Sequence, residues 1–199
     1  LLFDLGEAGG SGGELCFNQS GYIHSHIETP HGVRRLNASG VWKLRPETLE
    51  LSAFSRGMAN PWGHVEDAWG QTFATDGAYK DGINFSFPNA VFLLADGAER
   101  IITGLNENTH KRCVLEIASG RHMPDEWQGN MITCDFRGMR VCRFVITEDR
   151  SGFASREEKP LIRTRHIAFR PVGVSMGPDG ALYIADWYNP IIQHGEVDF

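Results

Sequence analysis

His24-Ser-His26-Ile-Glu28 sets two imidazoles and a carboxylate at alternate positions. On an extended segment, alternate side chains leave the same face of the chain. Two nitrogens and an oxygen suit a divalent metal or a direct substrate contact. Loop residues bonded to neighbouring strands use the same spacing, so a structural role stays open beside the metal. His64, in Asn60-Pro-Trp-Gly-His64, is the candidate general base. Imidazole titrates near working pH and accepts a hydroxyl proton; a histidine satisfied beneath a loop is the competing use. His122 and His194 have no partner visible in sequence. Arg34, Arg137 and Arg140 can clamp an anion, although Arg137 and Arg140 follow Asp135 closely enough for ion pairs. Trp187 and Tyr188 offer a platform for a sugar ring, or packing between sheets.

Glycines show which elements must carry these groups. Gly13, Gly70, Gly129 and Gly180 each open an apolar strand-like run that ends on a polar residue, and the last three runs end six residues on, at Asp76, Asp135 and Asp186. The first run ends on Asn18. Successive glycines are 57, 59 and 51 residues apart. A period near 50 residues holding several short strands is the signature of propeller blades. A second register agrees: Pro61 and Gly63 precede Gly70 by nine and seven residues, as Pro171 and Gly173 precede Gly180. Return strands are expected at Gly40-Val-Trp-Lys-Leu44, Arg100-Ile-Ile102 and Val141-Cys-Arg-Phe144. Trp42, Phe144 and Tyr183 are expected between blades, and Gly177-Pro-Asp-Gly180 is a turn.

The fold class is therefore all-β, a β-propeller of the six-bladed kind. Residues 1–199 form a single partial propeller domain of about three to four blades, a piece of a longer chain. Propeller ligands bind where loops converge on one face of the central channel. Asn18, Asp76, Asp135 and Asp186, read as ending the innermost strands, are expected to line it; capping of turns is their other use.

Composition narrows the function classes. With 19 Lys and Arg against 25 Asp and Glu, the net charge of −6 argues against a nucleic-acid surface. The longest strictly apolar run, 90–95, is far too short for a membrane helix. No charged-then-apolar leader is visible, so an export signal is expected outside these residues. Cys16, Cys113, Cys134 and Cys142 lack metal-type spacing, and buried free thiols are favoured over a Cys134–Cys142 bridge across a hairpin.

The stretches 16–30, 60–64, 69–77 and 177–196 resemble the propeller of a family of membrane-bound dehydrogenases of Planctomycetes and Verrucomicrobia, which are PVC-type haem-binding proteins. The segment Asp186-Trp-Tyr-Asn-Pro-Ile-Ile-Gln-His194 is the most specific part. That propeller is similar to soluble quinoprotein glucose/sorbosone dehydrogenases. The resemblance implies an exported oxidoreductase acting on a sugar or polyol, periplasmic or extracellular and envelope-attached. It also implies pyrroloquinoline quinone with Ca²⁺, and a separate cytochrome c domain as electron acceptor; without a CxxCH, no haem belongs to this segment. His64 lies near the place of the catalytic base. His24, His26, Glu28, Arg34, Asp76, Asp135, Arg137, Asp186, Trp187, Tyr188 and His194 would line the channel, with His24, His26 and Glu28 as metal ligands. Two other classes stay open. One is a non-catalytic propeller that binds polysaccharide or a protein partner; the other is a lactonase-type hydrolase using Ca²⁺ to activate water.

Overall fold

The computed structural model describes residues 13–77, 82–95, 98–105 and 111–191. Among the described residues the regular elements are strands, apart from one 3₁₀ turn at Asp125–Trp127. The first sheet runs β1 (Leu15–Gln19), β4 (Gly40–Arg45), β5 (Glu50–Arg56), with a short parallel β9 (Ala90–Val91) on β5. Between β1 and β4 the chain leaves the sheet as a hairpin, β2 (His24–Thr29) and β3 (Gly32–Asn37). A second sheet holds β6 (Pro61–Glu66), β7 (Thr72–Asp76) and β8 (Gly82–Ser86). A third runs β10 (Cys113–Ile117), β11 (Met131–Asp135), β12 (Arg140–Asp149) and β13 (Gly152–Glu157), with β14 (Ile162–Arg163) also on β12. The last described sheet pairs β15 (Pro171–Met176) with β16 (Leu182–Asp186).

The glycine repeat is the repeat of one strand. Gly13, Gly70, Gly129 and Gly180 each stand two residues before β1, β7, β11 and β16, at φ of 71°, 79°, 76° and 83°. That left-handed turn is one that glycine adopts without a Cβ penalty. The expected Gly177–Gly180 turn forms, closed by Gly180 N–H donating to Gly177 O at 2.9 Å.

Three of these glycine-led strands, β7, β11 and β16, are not the first of their sheets, which corrects the expectation for Asp76, Asp135 and Asp186 that end them. β6, β10 and β15 come before them, and β10 packs between β6 and β15. One return strand is also misplaced. The partner of β7 is β8, where Ile83 and Phe85 alternate with buried Asn84, while Ile101 in 100–102 is 57% exposed and outside any strand.

The core lies in the seams between successive sheets. Cys16, Val41, Phe54, Ala74 and Phe92 fill the first seam, Phe73, Ile83, Leu115, Met131 and Phe144 the second, and Ile132, Val141 and Val174 the third. Each large apolar side chain so buried contributes about 1.5–3 kcal/mol. Phe144 is buried between sheets as expected, but Trp42 is buried between its own sheet and the β2–β3 hairpin, with Leu36 and Leu51, and Tyr183 is 58% exposed, its hydroxyl donating to Asp179 Oδ2 at 2.9 Å. All four cysteines are free and buried. Cys134 stands opposite Val141 and Cys142 opposite Thr133, so the register itself keeps the two thiols off a shared rung.

The proline–glycine register has a physical cause. Pro61 and Pro171 begin β6 and β15, a position where a strand tolerates a missing N–H. Gly63 and Gly173 follow at an irregularity in the pairing, and β10 carries one in the corresponding place. A Cβ on Gly63 would come within 2.3 Å of the Val114 carbonyl carbon, so β6 and β10 approach too closely for any side chain there. Gly63→Val is expected to lower the unfolding midpoint by several degrees, since overpacking costs about 1–3 kcal/mol and each kcal/mol shifts a chain of this size by about 2–4 °C. Differential scanning calorimetry checks this, and an unchanged midpoint would contradict the close approach.

Candidate functional site

The starts of β6 and β15 and the ends of β7 and β16 meet at one end of their sheets, because each pair is antiparallel. Asp76 Oδ1 accepts the Asn60 N–H at 2.8 Å and its Oδ2 the Ala59 N–H at 2.9 Å. Asp186 Oδ1 accepts the Arg170 N–H at 2.7 Å, again sixteen residues back. Gly77 N–H donates to Asn60 O, and Trp187 N–H to Arg170 O. In the third sheet the residue just before β10 does this with its side chain: Arg112 Nη1 meets Asp135 Oδ2 at 3.0 Å. Each aspartate therefore fastens the end of a second strand to the start of the first.

That use consumes the carboxylates. Asp135 is fully buried, bonded also to Gly138 N–H at 2.8 Å and Arg140 Nε at 2.8 Å. Asp76 is 1% exposed and also pairs with Arg100 at 3.3 Å. Asp186 lies at the surface and takes a second bond from Tyr188 N–H at 3.0 Å. Asn18 sits on β1, its Nδ2 donating to Trp62 O at 2.8 Å, while its Oδ1 is buried without a partner among the described residues.

His24, His26 and Glu28 share the exposed face of β2, as alternation requires. They do not converge: Arg35 Nε donates to His26 Nδ1 at 3.1 Å, and among the described residues no three His, Cys, Asp or Glu side chains group closely enough to hold a metal. Arg34 is engaged by its own fold, with Nε donating to Leu51 O at 3.0 Å and so fastening the hairpin to β5. Arg137 is exposed in the β11–β12 turn. Trp187 and Tyr188 are 62% and 66% exposed, and Tyr188 stacks on His166 with ring centroids 5.6 Å apart. His194 lies outside the described residues.

His64 is the unusual group. It lies on β6 opposite Ala74, 9% exposed, with the Phe54 ring edge-on at 6.3 Å. Its Nε2 is buried with no hydrogen-bond partner among the described residues. Desolvation pushes its pKa down to about 4, with Glu66 opposing that shift and Lys43 adding to it. The ring is thus neutral at physiological pH, with an unused polar atom, in a first strand.

Arg112 was invisible as a site residue in sequence. It is fully buried, reaching Asp135, Glu157 Oε2 at 3.2 Å and Cys142 Sγ at 3.1 Å, with its guanidinium over Phe144. The only signal was its place directly before an apolar run, shared with Arg170. Burial pushes the Cys142 thiol up to about 12, so it stays protonated beside Arg112.

The Ca²⁺ expected from the resemblance requires six or more oxygens, and the carboxylates that repeat between sheets are already bonded to backbone N–H groups and arginines. The calcium site therefore does not fit the described residues. Arg137 and the ring of Tyr188 are both exposed.

No helix among the described residues is long and apolar enough to cross a membrane. The sequence model of a family described as "Domain of unknown function (DUF7133)" matches residues 86–198. No curated protein matches the sequence. Solved structures with the same architecture include one described as an oxidoreductase (glucose dehydrogenase) from Thermus thermophilus, 17% identical, with a TM-score of 0.62 over 91% of this chain and 57% of that one. The soluble aldose sugar dehydrogenase of Escherichia coli matches with 11% identity and a TM-score of 0.55, over 86% of this chain and 74% of its own. A protein described as a gluconolactonase matches at 18% identity and a TM-score of 0.52, over 90% of this chain and 53% of that one. These are propeller-type proteins, and at such identities the likeness shows the fold. The chain spans less than two thirds of the Thermus protein's length.

Proposed function

We propose, for a chain that belongs to the DUF7133 family, that it is the propeller of an exported oxidoreductase acting on a hydroxyl-bearing carbon of a sugar or polyol. The observation that carries this reading is His64: a buried, neutral imidazole with an unpartnered Nε2, in a fold of the sugar-dehydrogenase type. In the proposed reaction the hydroxyl proton passes to His64 Nε2 while the hydride leaves the same carbon, which becomes a carbonyl. Pyrroloquinoline quinone, when bound, supplies the two-electron acceptor, and a cytochrome c domain elsewhere in the protein takes the electrons onward. Burial keeps the imidazole unprotonated above about pH 4, so its lone pair is available. The same low pKa makes it a weak base, so proton transfer depends on hydride departure. Phe54 meets the ring edge-on.

The likeness to a gluconolactonase favours a second reading, hydrolysis of a sugar lactone. That chemistry draws on a metal held by carboxylates, and the existing bonds of Asp76, Asp135 and Asp186 weigh against it. The deciding experiment is cofactor extraction and metal analysis on the protein at its full natural length, followed by redox-dye reduction with aldoses and polyols. Stoichiometric quinone with substrate-dependent dye reduction is the expected result. Lactone hydrolysis with bound metal and no quinone would transfer the assignment to the second reading. Glycan affinity without turnover of any kind would make the propeller a binding scaffold.

A further inference from the structure

We infer that the groove between the β11–β12 turn and residues 161–166 binds an anionic saccharide, one bearing a carboxylate or a sulfate. Gly138, Met139, Arg163, Thr164 and Arg165 line an open cavity of about 560 Å³. Backbone bonds hold its walls together: Thr164 N–H donates to Met139 O at 3.2 Å, and Arg163 pairs with Arg140 across β14 and β12. Behind the turn, Arg170 Nη1 donates to Phe136 O at 2.9 Å.

The groove's arginines differ from those that bind the aspartates at the strand ends. Arg100, Arg112 and Arg140 all face carboxylates. Arg163 and Arg165 are exposed, and among the described residues neither guanidinium meets a carboxylate, although the chain carries six more acidic than basic residues. Two guanidiniums beside a groove can each donate paired N–H groups to two oxygens of a carboxylate or of a tetrahedral sulfate. His166 continues the segment and stacks on the exposed Tyr188, which gives a sugar ring its flat contact next to the charges.

The inference does not rest on oxidation, because it concerns binding alone. Calorimetric titration of the protein at its full natural length with oligogalacturonate, a sulfated glycan and neutral dextran, with no electron acceptor present, tests it. At least one acidic polymer should bind, more weakly as salt rises, and Arg163→Gln with Arg165→Gln should weaken it about tenfold or more. Binding of only one acidic polymer identifies the acid. Tyr188→Ala should weaken the oligosaccharide but leave inorganic sulfate unaffected. Equal affinity in wild type and the double variant, no affinity for either polymer, or tighter binding of single-stranded DNA or of free pyrroloquinoline quinone would overturn the assignment. The unfolding midpoint of the double variant should be unchanged, since both side chains are exposed.

Discussion

Arg112→Met is expected to destabilise the protein by about 3–5 kcal/mol, the cost of removing one partner from a buried ion pair. Arg112 has no exposed surface, and its guanidinium lies between Asp135, also fully buried, and Glu157. Methionine matches the stem but leaves Asp135 with only Arg140, which is itself shared with Glu157 at 2.6 Å. The excess charge then sits at the end of β11, where Asp135 also holds the Gly138 turn and, through Arg112, the entrance to β10. For a chain of this length the loss corresponds to about 6–20 °C in the unfolding midpoint. Arg112→Met combined with Asp135→Asn should recover part of it, because the charge left unpaired is then gone. A double variant no more stable than the single one would show that Arg112 acts by packing on Phe144 rather than by its charge. By contrast, Asp186→Asn should cost much less, since that carboxylate lies at the surface and bonds only backbone N–H groups.

These ties explain what the sequence could and could not reveal. The glycine-to-aspartate spacing was legible because a left-handed turn and a strand end both demand particular residue types. The order of strands within each sheet was not: Pro61–Glu66 and Cys113–Ile117 are short first strands interrupted by bulges, which blurs the period of two. Reading the aspartates as channel groups followed from placing their strands first. The use of Asp76 and Asp186 is set by backbone N–H groups sixteen residues back, and a backbone donor has no residue type to read. Arg112 escaped notice for a related reason. A charged residue before an apolar run looks like a solvated strand end unless the buried carboxylate is known. Alternation did predict that His24, His26 and Glu28 share a face. Whether a shared face becomes a site depends on what the neighbouring segments bring to it, and here that is Arg35.

His64→Gln is expected to lower turnover by about 10²–10⁴-fold with little change in KM, the range for loss of a positioned general base. Glutamine preserves much of the polar shape but cannot take a proton. In the wild type kcat/KM should fall on the acid side with a midpoint near pH 4, and that limb should vanish in the variant. A stability measurement separates this role from a structural one. The folded pKa of about 4 lies below the ordinary histidine value, so the fold favours the neutral ring. Between about pH 6.5 and 4 the unfolded chain binds the extra proton and the native chain does not, so stability falls as pH falls through that window. The stabilisation is complete above about pH 6.5, and its loss by pH 4 is on the order of 3 kcal/mol. His64→Phe should remove this acid sensitivity from denaturant midpoints while keeping the contact with Phe54. If His64→Phe flattens the stability profile and His64→Gln leaves turnover intact, His64 is only a buried ring of the seam between the first two sheets, and the base must be sought elsewhere in the protein. Loss of turnover together with loss of the acid limb places proton abstraction at Nε2, the atom the fold leaves without a partner.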